Sequence, residues 1–134
     1  MTVQKTSLKP TNQCAGLAAK GLTYQRHAWA AFNAAKDPQS KEAAKHAAID
    51  AGDMAICLRY SYHEAARADK TRPGSTVGLA AVDLSERCVK QMQHQACRAY
   101  AAIGQSPPAV FTAAEIRLIA DCAESGKIPA PWQI

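Results

Sequence analysis

Apolar residues recur along most of the chain at helical rather than strand spacing. From Asn12 to Ala35, Leu17, Gly21, Tyr24, Ala28, Phe32 and Ala35 follow one another at three and four residues, with Leu22 and Trp29 widening the stripe. Lys20, Thr23, Arg26 and His27 fall on the opposite side of that helix. Asp37-Pro38 then reads as a stop and a restart, because proline is tolerated in a first turn and Asp37 or Ser40 can cap it.

A second helix is predicted from about Ser40 to Asp69. Its main ridge is Ala44, Ala48, Ala51, Ala55, Leu58, Tyr62 and Ala65. Ile49, Ile56 and Tyr60 form a second ridge well around the cylinder. A helix apolar on two sides touches more than one neighbour, which places this helix at the centre of the bundle.

Thr71 to Ser75 is a turn rich in breakers, and Ser75 or Thr76 opens a third helix ending near Gly104. Its core stripe is Val77, Ala81, Leu84, Cys88, Met92, Ala99 and Ile103, broadened by Val82, Val89, Ala96 and Tyr100. Gln95 interrupts the stripe; it either sets register through a hydrogen bond or marks where the stripe meets solvent.

The sharpest local signal comes last. Thr112 and Glu115 have the spacing of a capping box, and Phe111 and Ile116 that of a hydrophobic staple. The short helix they open ends near Ser125, with Gly126 as its left-handed cap.

The predicted architecture is therefore all-α: a helical bundle of three long helices plus one short C-terminal helix. Residues 1–10 read as a flexible tail, 11–127 as one helical-bundle domain, and 128–134 as an extended tail whose Trp132 packs back onto the bundle. Composition agrees, since alanine supplies about a fifth of the residues and aromatic residues only 6%.

Charge changes the picture little. The net charge of +5 resides in residues 1–49, where Lys5, Lys9, Lys20, Arg26, Lys36, Lys41 and Lys45 face only Asp37 and Glu42. Such a skew could draw nucleic acid, but the basic residues lack interleaved aromatics, so that partner is not favoured. No stretch is long and apolar enough to span a bilayer. Five irregularly spaced cysteines fit neither a paired disulfide framework nor a zinc ribbon, which makes a reduced, cytoplasmic setting the expectation.

Candidate chemistry is thin. His46, Asp50, Asp53, Cys57, Ser61 and Glu64 share a polar wedge of the second helix. A metal there would need ligands from a facing helix, and His94 lies among Lys90 and Arg87 on the polar side of the third. The wedge reads as a solvated face laced by a His46–Asp50 pair. Cys88 and Met92 on the third helix could join a soft-metal centre, while Cys57 and Cys97 are predicted to point outward. No nucleophile elbow, phosphate loop or HExxH helix is present, and His63 and Glu64 point in different directions. The expectation is a non-enzymatic helical protein without cofactor that binds another protein, with Trp29, Tyr60, His63 and Trp132 as candidate anchors. A metal- or cofactor-binding bundle is the alternative.

Overall fold

A computed structural model describes residues 8–132. They form four helices, α1 (Pro10–Ala34), α2 (Pro38–Thr71), α3 (Thr76–Ala102) and α4 (Ala113–Ser125), then a 3-10 turn at Ala130–Trp132. The described residues contain no strand. All four helices pack into one compact bundle, and none is long and apolar enough to cross a membrane.

The helix ends follow from local chemistry. Asp37 accepts the Ser40 backbone N–H at 2.8 Å, so α2 starts at Pro38, two residues earlier than its apolar ridge suggested. α1 has no cap of its own, because Lys9 supplies no side-chain acceptor. Asp69 of α2 takes that role by accepting the Thr11 backbone N–H at 2.9 Å and the Thr11 hydroxyl. A carboxylate at a helix N-terminus is favoured by the helix dipole. The α4 capping box is complete: Thr112 Oγ1 accepts from the Glu115 N–H at 3.2 Å, and Glu115 Oε1 accepts from the Thr112 N–H at 2.7 Å. Gly126 closes α4 with φ of 72°, a conformation that only glycine adopts freely.

The central helix is α1, not α2. It packs against α2, α3 and α4, and every residue from Cys14 to Ala19 is buried. A helix buried around its whole circumference is enclosed on all sides. The second ridge of α2 has no such cover: Ile49, Ile56 and Tyr60 are 43%, 59% and 62% exposed. Periodicity located that ridge correctly, but the neighbour it anticipated is absent among the described residues. Instead α4 lies on the side of α1 expected to be polar. On that side Thr23 is buried and donates its hydroxyl to the Ala19 carbonyl, and the half-buried His27 meets Glu115 of α4.

Two apolar regions make up most of the interior. The larger contains Leu17, Leu22, Leu58, Val82, Val89 and Met92. Ile128 and Trp132 join it, so the C-terminal segment is packed onto the bundle. The other lies near the C-terminal end of α1 and is built from Ala28, Ala31, Ala44, Ala47, Ala48 and Ala99. Gly21 matters most for closeness. A Cβ there would lie 2.4 Å from Leu58 Cδ1 and 2.9 Å from Met92 Sδ. On α3 the buried stripe follows expectation except at its start: Val77 is 50% exposed, and Gly78 and Ser85 are buried instead. Gly78 faces Pro10, and Ser85 donates to the Cys14 sulfur at 3.5 Å.

Candidate functional site

The four candidate anchors do not converge. Trp29 is half-buried beside the alanine-rich region, edge-on to Phe32 at 5.4 Å. Trp132 is 7% exposed within the main core. Tyr60 and His63 do share a surface: with Ile49, Asp53, Ile56 and Arg67 they form the outer, exposed face of α2. The His63 ring packs edge-on against Tyr62 at 5.3 Å.

The polar wedge of α2 divides among separate neighbours. His46 pairs with Glu42 at 3.2 Å rather than with Asp50, and both side chains are well exposed. Asp50 reaches across to Arg98 of α3 at 3.1 Å. Arg98 also donates to Gln95 at 2.7 Å, so Gln95 lies at the edge of the α2–α3 seam, where the stripe meets solvent. Glu64 pairs with Arg67 at 3.1 Å, and Ser61 is fully buried. Among the described residues, no three His, Cys, Asp or Glu side chains are grouped so as to hold a metal ion.

Cys57 departs from its outward reading. It is partly buried against the core, beside Cys88 across the α2–α3 seam. Burial, together with this neighbour, pushes the Cys88 thiol up to about 11. Burial likewise raises Cys14, against an opposing hydrogen bond from Ser85, and raises Cys122. Raised above the ordinary thiol value, all three are poor nucleophiles.

Two surface features remain. The first is the outer face of α2, whose apolar members Ile49, Ile56 and Tyr60 span twelve residues, or about 16 Å of helix. The second is a groove of about 380 Å³ between α1 and α4. On α1 its wall is Gln13, Gly16, Leu17 and Lys20; on α4 it is Ile116, Ile119, Ala120 and Ala123. Leu8 and Phe111 complete the lining. The helices come closest at Gly16, where a Cβ would lie 3.0 Å from the Cβ of Ala123.

Polar contacts latch α4 at both ends. At its start His27 Nε2 meets Glu115 Oε2 at 2.7 Å, while Phe111 packs on Tyr24 with ring centroids 5.4 Å apart. Phe111 is thus engaged by α1, and Ile116 is 56% exposed beside the groove. Burial raises the Glu115 carboxyl, but hydrogen bonds from the Thr112 N–H and His27 outweigh it and hold the group below its ordinary range. At the other end Asn12 donates to the Ala123 and Glu124 carbonyls at 2.8 and 3.1 Å. There too, Tyr62 donates to the Gly126 carbonyl at 2.7 Å.

Sequence reasoning missed the groove. A signal was available: Ile116, Ile119, Ala120 and Ala123 give the short α4 more apolar positions than one neighbour covers. No protein-family model, curated protein or solved structure matches the chain.

Proposed function

We propose that this protein is a non-enzymatic binding protein that docks a helix of a protein partner on the outer face of α2. The observation that carries this reading is the exposed ridge Ile49, Ile56 and Tyr60. Spacings of seven and four residues match the ridge that one helix offers to the grooves of another. Most exposed apolar side chains are scattered singly and need no explanation; three along one face form a patch. Tyr60 supplies a large aromatic surface with a polar tip, a residue type enriched among interface hot spots, and His63 borders it one turn further on. Of the cations near the N-terminus of α2, Lys41 already lies over the Phe32 ring at 4.8 Å, which weakens a nucleic-acid reading.

The test is site-specific photo-crosslinking in the source cell, with the crosslinker at Ile56 and, as control, at exposed Gln91 on α3. A discrete adduct from position 56 alone is expected. Affinity for the identified partner should fall more than about tenfold in Tyr60→Ala and Ile56→Asp. Equal labelling from both positions, or unchanged affinity in both variants, would remove this face from the function.

A further inference from the structure

We propose that the groove between α1 and α4 is a binding site for a medium-chain acyl carboxylate, with the chain between the two helices and the carboxylate on the Lys20 ammonium. Three features select this ligand.

The first is polarity. Leu17, Phe111, Ile116 and Ile119 line the groove, and its floor is kept shallow-walled by Gly16 and Ala123. Lys20 is the only charged residue in the lining, and among the described residues no carboxylate lies within ion-pair distance of it. A half-buried lysine beside apolar walls is complementary to one negative charge carried on an apolar body. Gln13, the other polar lining residue, already donates its amide to the Leu8 carbonyl at 2.9 Å.

The second is shape. Gln13 to Lys20 spans eight residues, so the α1 wall is about 10 Å long. An extended chain laid along that wall lies between two helices that approach each other most closely at Gly16 and Ala123.

The third is placement. Lys20 is the last groove residue on α1; from it Leu17, Gly16, Ala120 and Ala123 run apolar toward Leu8, a stretch that suits a chain with one charged terminus, while Phe111 and Ile116 stand on its other side. The volume also falls within the usual range for small-molecule sites, about 300–1,000 Å³.

The experiment is calorimetric titration of the full chain with decanoate and with decanol, both below micelle formation. Saturable binding of decanoate at one site per chain is expected, at least fivefold tighter than decanol. Lys20→Met should bring decanoate down to the affinity of decanol and leave decanol unchanged, and Lys20→Arg should restore the preference. Ala120→Phe, at an exposed position on the groove wall, should abolish binding of both, with helix content and Tm unchanged as a check on folding. Equal affinity for the two probes, indifference to Ala120→Phe, or no saturable heat with either probe would overturn the proposal. A concentration-dependent dimer dissolved by Ala120→Phe, without decanoate binding, would instead assign the groove to a second copy of this chain.

Discussion

Between α2 and α3 the bundle is closed by side chains that water does not reach, among them Leu58, Ala65, Val89 and Met92. Between α1 and α4 it is closed differently. Polar latches hold the two ends, His27–Glu115 at one and Asn12 with Tyr62 at the other; between them only a small apolar cluster, Ala15, Ala19 and Cys122 with Leu118 and Ile119, is packed, and a groove stays open beside it. Apolar burial is non-directional and scales with area, so the first seam has no point at which it opens alone. Latches are few and specific, and each can be released without disturbing the rest. The comparison predicts one cooperative unit built from α1, α2 and α3, with α4 as a less stable flap upon it.

The largest effect should come from the inner seam. Leu58 is fully buried among the packed helices, so Leu58→Ala should cost about 2–5 kcal/mol. Denaturant unfolding should show one transition shifted as a whole by every probe. If α4 kept its hydrogen-exchange protection while the other helices lost theirs, the division into core and flap would be reversed.

Next is Gly21, where the inner packing is tightest. Gly21→Ala gains about 1 kcal/mol in helix propensity. It also drives a methyl into Leu58 and Met92, both fully buried, at an overpacking cost of about 1–3 kcal/mol. A net loss near 1 kcal/mol is expected. The variant carrying both Gly21→Ala and Leu58→Ala should lose less than the two singles combined, because the new methyl fills part of the vacated space. Additive losses would show that the two sites do not touch.

The outer seam should respond locally. Thr112→Ala removes the acceptor for the Glu115 N–H, at a cost of about 1 kcal/mol. Amides of α4 should exchange faster, while those of α2 and α3 stay as they were. Uniform acceleration throughout the molecule would mean that α4 belongs to the core unit.

What the amino-acid pattern revealed follows the same division. Helix ends were readable because caps are local: Asp37 before α2, Thr112 with Glu115 and Gly126 around α4. The all-helical class was readable because periodicity is local too. Which helix sits in the middle was not. Alanine and glycine dominate α1 and α2 alike, and small residues on a face mark close approach without saying to whom. Thus Ile49, Ile56 and Tyr60 looked like a second internal contact and are exposed, whereas Thr23 and His27 looked exposed and are buried and half-buried. Asp69 capping α1 from α2, and Cys57 meeting Cys88, depend on tertiary neighbours that no spacing encodes. Of the candidate anchors, Tyr60 and His63 share one face, and only the folded arrangement separates Trp29 and Trp132 from them.

The smallest effect, and the most selective, is a pH dependence confined to the flap. Glu115 has its carboxyl held below the ordinary value of 4.5 by the Thr112 N–H and His27, which prevail over the raising effect of burial. A group whose folded value is depressed stabilises the folded form above its unfolded value. That contribution is lost as pH falls through the folded value. Acid should therefore loosen the N-terminal end of α4 progressively below about pH 4.5. Asp37, also held low by its bond to the Ser40 N–H, should act in the same direction at the start of α2, a site separate in sequence and readout. Glu115→Gln keeps the shape of the capping box but removes the charge. It should flatten the acid-induced rise in α4 exchange and leave that near Ser40 intact. The Glu115 carboxylate is about a quarter exposed, so water and salt screen its pairing with His27, and the effect should shrink as ionic strength rises. An unchanged acid response in Glu115→Gln would place the acid sensitivity of α4 elsewhere.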